Sequence, residues 1–528
     1  MKEHSAVAQA LRPLRNPAYA VLWTATVVTN IGWWMYTAAA AWLMTDLSVD
    51  PWMVSLVQVS SSLPMFLLAL PAGALADVVD KRRLLILAES AIVVISAAFA
   101  ALVRLDRITP VTLLLFTLVL GAGAAVVAPA WQSIVPLLVT RKEELPLAVA
   151  LNSVGVNISR AIGPALVGML TVGVGVSAPF WINAVSNIGS VGGLLWWRPP
   201  QRPGSRLPAE RFHAAIRTGA RYARHNPRLR ATLFRAMGFF LFASAYWALL
   251  PLVARTQIGG GPTLYGLLLG AIGAGAVGGA LALPKLTPLL GPNGLLSAAT
   301  IGTAAALGLF GLAREPWTAF AGSVLAGMCW IAAVSSLNVS AQYALPEWVR
   351  GRGLAIYVTA FSGAMAVGSA VWGQLATIVG LPTTHFIAAA SALLAIATMR
   401  RWKLQKSGEI DLAPSLHWPA PAVVGRVEDD AGPVLVTVEY EVPRKNREQF
   451  LSALDRLSAE RRRDGAYAWG VFEDTAKRGR FLETFLVESW LEHLRQHERV
   501  TEADRAVEER VRSLLSSEPK TSHLVTPD

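Results

Sequence analysis

The sequence predicts an all-α polytopic membrane protein, twelve transmembrane helices in two six-helix halves, followed by a small soluble α+β domain. Three observations predict it. Windows of about 20 apolar residues recur between residues 18 and 401; Lys and Arg are unequally shared between the intervening loops; and charge density rises abruptly after Met399.

Of 528 residues, 53% are hydrophobic and only 16% charged. A soluble domain carries about 25% charged residues, so much of this surface faces lipid. The net charge of +12 would suggest nucleic acid in a soluble chain. Here the basic residues fall in loops between apolar spans, and no soluble face carries a basic and aromatic stripe, so membrane orientation accounts for them and no nucleic-acid partner is expected. The single cysteine, Cys329, excludes an internal disulfide framework and a cysteine-based zinc site. The start of the chain is polar and its first apolar stretch is too long for a cleavable signal peptide.

The apolar windows place spans at about residues 18–44, 52–76, 84–104, 109–138, 146–173, 178–197, 231–255, 263–290, 294–313, 317–345, 353–379 and 383–401. One set of loops holds Arg12, Arg15, Lys81-Arg82-Arg83, Arg141-Lys142, the arginines from Arg198 to Arg230, Lys285, Arg350, Arg352 and Arg400-Arg401-Lys403. The opposite set holds Arg104, Arg107, Arg255 and Arg314. The excess marks the cytoplasmic side of a bacterial-type plasma (inner) membrane and puts both termini there, which requires an even number of spans.

The chain then divides into a six-helix bundle at 1–200, a basic cytoplasmic loop at 201–230, a second bundle at 231–403, a linker at 404–432 and a cytoplasmic domain at 433–528. A weak repeat supports the halves. Gln132 is followed by Ala148-Val149-Ala150-Leu151, Gly163 and Gly168, and Gln342 by Gly353-Leu354-Ala355-Ile356, Gly368 and Gly373, with equal spacing from Ala148 and from Gly353 onward. Two halves related by repetition are how many transporters build a central site with alternating access.

Between the second and third spans the chain reads Gly73-Ala74-Leu75-Ala76-Asp77-Val78-Val79-Asp80-Lys81-Arg82-Arg83. This resembles the cytoplasmic loop motif of the major facilitator superfamily, Gly-x-Leu-Ala-Asp-basic-x-Gly-Arg-basic-basic, with Val78 in place of a basic residue and Asp80 in place of the second glycine. The glycine permits close helix approach, and Asp77 suits the positive N-terminus of a neighbouring helix, the eleventh, near Gly351 to Gly353. Such a latch closes the cytoplasmic side and must break on switching; Asp80 could pair with Arg82, Arg83 or Arg350, and Arg352 lies beside the latch. The plainer reading makes Lys81 to Arg83 only a positive-inside anchor.

Leu22-Trp23, Asn30-Ile31-Gly32-Trp33-Trp34-Met35, Ala41-Trp42-Leu43-Met44, Leu63-Pro64 and Leu70-Pro71-Ala72-Gly73 are similar to one branch of that superfamily, the branch of the enterobactin exporter and the transmembrane secretion effectors. The resemblance covers roughly residues 10–400. It implies efflux of a small molecule, siderophore-, drug- or organic-anion-like, driven by proton antiport. An uptake carrier of the same fold is the alternative.

The fifth span holds Gly155, Arg160, Gly163, Pro164 and Gly168. It resembles the Gly-Pro-x-x-Gly-Gly motif of major facilitator antiporters, with Val167 or Leu170 at the second glycine of the final pair. Small residues let helices approach and Pro164 allows bending, which serves either simple packing or a seal on the periplasmic side. Arg160 lies near the middle of the span with no acidic residue at its depth, so it faces either an anionic or acceptor-rich substrate or backbone carbonyls. Asn30 and Asn157 are placed to share its cavity. Tyr246, Trp247 and Trp330, in spans that line the cavity in this superfamily, either hold a bulky amphiphile or pack toward lipid. Asp46 and Glu89 are the candidates for a coupling proton.

After the linker, Val434 to Val442 alternates as a strand; a helix follows at 444–463, strands near 467–473 and 480–487, two helical segments, and a strand near 522–525. That order fits a ferredoxin-like α+β fold. It resembles the dimeric α/β-barrel domains related to antibiotic-biosynthesis monooxygenases, which implies a homodimer contact and not necessarily an activity. His493 and His497 share a helical face, either as half of a metal site or as a polar or dimer face; no third ligand is apparent, and neither a metal nor another cofactor is expected. A cytoplasmic enzyme acting on the cargo is the third reading; the sequence favours an accessory role, with no catalytic residues.

Overall fold

The computed structural model describes residues 11–139, 141, 144–199, 212–405, 411–415, 417–419, 421, 423, 425 and 427–526, with the backbone alone at 77, 78 and 212–216. Helices α1 (Pro17–Leu47), α2 (Pro51–Val78), α3 (Lys81–Arg104), α4 (Pro110–Leu138), α5 (Leu145–Gly173) and α6 (Ala178–Trp196) precede α7 (Phe212–His225). Then follow α8 (Pro227–Leu252), α9 (Pro262–Leu312), α10 (Pro316–Tyr343), α11 (Arg350–Val379) and α12 (Leu381–Met399). Many starts carry proline in the first turn, where the missing N–H has no helical partner to lose: Pro17, Pro51, Pro110, Pro146, Pro179, Pro262 and Pro382. Asn16, Asp50, Asp80 and Thr109 cap α1 to α4 with side-chain oxygens.

Nine helices among the described residues are long and apolar enough to cross a membrane. One of them, α9, runs for 51 residues and is broken at Gly291, whose φ of 63° and ψ of 173° suit glycine alone, just before Pro292. The expected spans at 263–290 and 294–313 are its two arms. The nine do not include α1 or α6, so length and hydropathy do not by themselves return the expected twelve.

The described residues gather into two compact units. The first holds residues through Phe212, Leu233–Val339 and Tyr357–Lys403; the second holds His213–Thr232, Ser340–Ile356 and Leu404–Asp528. In the first, buried apolar side chains such as Tyr19, Leu85, Trp131 and Leu194 form a core beneath the ends of α1, α3, α4 and α6.

The second unit contains an antiparallel sheet of β1 (Val434–Glu441), β2 (Ala468–Glu473), β3 (Arg480–Val487) and β4 (Lys520–Val525), in the order β2-β3-β1-β4. Helices α13 (Arg447–Asp464), α14 (Trp490–Arg499) and α15 (Glu502–Arg512) complete it. This is the expected ferredoxin-like order, with a 3-10 turn at Arg444–Asn446 where the sequence read the first turn of the helix. The alternation predicted for β1 appears as burial of every second residue: Val438 and Tyr440 against Phe450, Leu454 and Leu457 of α13, and Val434 and Val436 with Phe485, Val487 and Trp490. Within the segment 201–230, read as a basic loop, the described part is the helix α7, Asn226 and the start of α8, and residues 200–211 lie outside the described residues. Tyr222 Oη and Asn226 Nδ2 both donate to the Ala344 carbonyl, at 3.2 and 3.0 Å, tying α7 and the turn after it to the end of α10 within this unit.

Candidate functional site

Helix α5 lies between α1 and α9, and its small residues allow both approaches. A Cβ on Gly155 would meet Val27 at 2.7 Å and one on Gly163 would meet Trp34 Cβ at 2.7 Å, while Ser159 Oγ donates to the Val27 carbonyl at 3.0 Å. On the opposite side, a Cβ on Gly168 would lie 2.9 Å from Thr263 Cα, and one on Gly273 would lie 2.9 Å from Ala161 Cα. The repeat seen in the sequence reappears as geometry. Gly163 packs on α1 and Gly168 on α9; their counterparts pack on α8 (Gly368, against Ser244 and the Leu241 carbonyl) and on α2 (Gly373, against Ser55). Each glycine pair therefore touches the first helix of its own half and the second helix of the other.

Close contact at Gly163 brings Trp34 over Arg160, one turn earlier on α5. The Arg160 guanidinium carbon stands 5.0 Å from the Trp34 ring and 5.9 Å from the Trp330 ring, a clamp with one ring from each half. Trp247 lies tilted toward Trp34 at 6.4 Å and meets Trp330 edge-on at 5.3 Å; Phe240 and Phe361 close the aromatic wall behind Trp330, and Tyr246 adjoins Trp247 at 5.7 Å. Arg160 Nε and Trp330 Nε1 are buried with no hydrogen-bond partner among the described residues. Pro164, four residues on, removes the helical N–H that would serve the Arg160 carbonyl.

Of the residues expected around Arg160, the structure brings Trp330 to it, sets Trp247 against the two clamping rings and places Tyr246 next to Trp247. Asn30 is half-buried one turn before Trp34, and Asn157 is exposed and donates to the Ser153 carbonyl of its own helix at 2.9 Å. Trp34, Phe240 and Phe361 were not singled out by sequence. The spacing of Asn30 and Trp34, four apart on one helical face, was the available signal for the first of them.

At the end of the bundle where α1 stops and α2 begins, Asp46 pairs with Arg255, which also donates to Thr45 Oγ1 at 3.0 Å and lies 5.5 Å over Trp42. A π-helical turn, Val253–Gln257, carries Arg255 at the end of α8. Thr377 Oγ1 donates to Asp50 at 2.8 Å at the same end. Asp46 is thus half-exposed and held by a cation, whereas Glu89 is buried on α3 beside Ser190, with Ser96 and Asn183 of the α3 and α6 contact bonded at 2.9 Å.

In the loop motif, Asp80 caps α3 by accepting from the Arg83 amide at 2.7 Å, and Arg82 donates to the carbonyls of Leu194 and Leu195 at 2.7 and 2.8 Å, closing the C-terminus of α6. Lys81 opens α3 next to Arg82. A Cβ on Gly73 would meet nothing within 4 Å. Asp77 belongs to the last turn of α2, and its side chain lies outside the described residues. Arg350 and Arg352 open α11 within the second unit, with Arg350 exposed and Arg352 Cβ 3.2 Å from a Cβ built on Gly219 of α7.

Two central helices packed through glycine on both sides, around a clamp shared between repeats, are the arrangement of an alternating-access carrier. The sequence profile of the transmembrane secretion effector family matches residues 8–528. The chain belongs to this family. It is a multi-pass membrane transporter. Over 390 residues it is 26% identical to the enterobactin exporter EntS of Shigella boydii, covering 73% of this chain and 91% of that one. Its fold matches the nucleoside transporter NupG, with a TM-score of 0.55 at 13% identity, covering 73% of this chain and all of that one. It also matches a bacterial homologue of the human lysosomal transporter Spinster in an inward-facing, occupied conformation, at 0.58 and 15%, covering 74% and 98%.

The C-terminal module of the transporter holds a site of its own, a cavity of about 570 Å³ between β1, β4 and helices α13 to α15. Beneath it Glu483, fully buried, accepts from Tyr440 Oη at 2.6 Å and Trp469 Nε1 at 2.8 Å. Arg461 donates to Glu508 at 2.9 Å and lies 4.8 Å over Trp418, while His417 Nε2 and Trp418 Nε1 also reach Glu508, at 2.8 and 3.0 Å. Burial alone would raise Glu508, but Arg461, His417 and Trp418 outweigh it and hold the carboxyl down to about 2. His493 and His497 line this cavity, and His523 of β4 joins them. Burial first, and neighbouring histidines second, push both helix histidines down to about 4, so they are neutral at neutral pH.

Proposed function

We propose that the chain exports a small organic anion with aromatic surface across a bacterial inner membrane, in exchange for protons, with both termini in the cytoplasm. The observation that carries this reading is the Arg160 clamp: a guanidinium between two tryptophans of opposite halves, without a carboxylate partner among the described residues. A cation is costly at such a depth unless it meets an anion, and the rings offer planar cargo a stacking surface that a shift between halves would dismantle. The likeness to an enterobactin exporter supports the direction of transport.

Twelve spans in two halves, with the cytoplasmic module after them, are part of this reading, as are a gating role for Asp77 in its motif (Gly73 to Arg83) and a sealing role for Gly155, Gly163, Pro164 and Gly168. Asp46 is already held by Arg255, so Glu89 is the stronger proton carrier. The sheet face opposite the helices leaves Phe472, Leu482 and Leu524 exposed, which supports a homodimer through this module.

Inverted membrane vesicles given aromatic carboxylates or catecholates on the outside test the proposal. A pH gradient should drive accumulation of the anions and not of their uncharged amides or ethers. Equal handling of both, or wild-type flux in Arg160→Ala, would remove the clamp from the mechanism; accumulation only when the outside of the vesicles is the acidic side would argue for proton-coupled uptake.

A further inference from the structure

We infer that the C-terminal module binds one late first-row divalent metal ion, zinc being the natural occupant, through His493, His497 and His523. The first two lie one turn apart on α14, with their Nε2 atoms 3.3 Å apart. Two nitrogens bound to one tetrahedral ion at about 2.0–2.1 Å are about 3.3 Å apart, so this pair already has the spacing of a chelate. His523 comes from β4, where it pairs in register with Val436 and points to the same side of the sheet as the buried residues of β1. Ligand nitrogens of all three rings fall within 4.8 Å of one another. His523 is half-buried on an edge strand.

The surroundings favour an ion over a chance meeting of rings. His493 Nδ1 lies 3.2 Å from the side-chain oxygen of Gln496, which is itself 1% exposed. Donating that N–H fixes the tautomer that leaves Nε2 as a lone pair, the outer-shell device that orients metal-bound imidazoles. All three histidines are buried or half-buried, so packing limits the geometries open to the ion. Arg461, the cation that acts on His493 and His497, is neutralised by Glu508 at 2.9 Å and Glu483 at 3.6 Å. Three imidazoles without thiolates suit zinc, copper, nickel or cobalt over magnesium or calcium. The ligands line one wall of the 570 Å³ cavity, so a fourth position faces that space and is available to water or a small anionic ligand. This inference is independent of the transport reading.

The test uses tag-free, full-length protein in detergent, stripped with a chelator and titrated with Co²⁺ and then Zn²⁺. One equivalent of Co²⁺ should give the visible absorption of a tetrahedral site, and Zn²⁺ should bleach it. His497→Ala and His523→Ala should each weaken binding more than about 100-fold, and Gln496→Leu about 10-fold, while His225→Ala should change nothing. Because the alanine variants could disturb α14 or β4, the wild-type protein is also treated with diethylpyrocarbonate, and Zn²⁺ should protect His497 and His523 but not His225. Sub-stoichiometric binding, titrations unchanged by the histidine variants, or the absence of protection would overturn the inference and leave a hydrogen-bonded imidazole pair.

Discussion

The guanidinium of Arg160 stands 5.0 Å from the ring of Trp34, and the closeness depends on Gly163, whose missing side chain lets that tryptophan lie on α5. Lysine keeps the charge at this position but loses the planar group that sits between rings. Arg160→Ala should abolish anion transport, Arg160→Lys should retain a small fraction, and Trp34→Ala should weaken cargo affinity about 2- to 30-fold, the range of a cation–π contact of about 0.5–2 kcal/mol. Flux assays on vesicles with matched protein levels measure all three. Normal flux in both arginine variants would assign Arg160 to packing.

Gly168 and Gly373 are the points where each half meets the other. Any side chain at Gly168 must displace the backbone of Thr263, 2.9 Å away, and overpacking of this kind costs about 1–3 kcal/mol. Gly168→Leu should therefore disfavour the state seen here and populate the one with α5 and α9 apart. With Cys329→Ser as background, a cysteine at Thr263 should label faster in Gly168→Leu than without it; unchanged labelling would mean the contact does not gate.

Glu492 is held by Arg499 at 2.6 Å and by Arg221 of α7 at 3.3 Å, and the Arg499 side chain is only 3% exposed. Removing the shared carboxylate takes a partner from Arg499, Arg221 and Arg495 together, whereas removing Arg221 leaves the Arg499 pair intact. Glu492→Ala should cost the second unit about 3–5 kcal/mol and Arg221→Ala clearly less, read as protease sensitivity of the C-terminal module. Equal sensitivity would show that α7, and not the charge, organises this contact.

Glu460 predicts a pH dependence. Burial, with Asp504 and Asp464 nearby, pushes its carboxyl up to about 9 despite Arg463 and Arg461. An unfolded glutamate releases its proton near about 4.3, so between the two values the native state holds a proton that the unfolded chain has lost. This contribution to stability is full at acid pH and is lost as pH rises through that window. Glu460→Gln keeps the neutral form at every pH, and its unfolding temperature should exceed that of the wild type at pH 8 and match it near pH 5. A difference that does not change with pH would refute the assignment.

The local pattern of the chain determined the elements. Apolar windows set most of the membrane helices, Gly291 and Pro292 set the break in α9, and period-two alternation set β1, because each depends on residues within a few turns of one another. The repeat of Gly163 and Gly168 with Gly368 and Gly373 was also visible in sequence, though not what each glycine touches. The tertiary structure decided the meetings. Trp34 and Trp330 flank Arg160 only once two halves are packed; Arg255 reaches Asp46 only through a π-helical turn at the end of α8; His523 joins His493 and His497 only because β4 pairs with β1. Side chains far apart along the chain share a site when packing aligns their faces, and no periodicity in a single segment encodes that alignment.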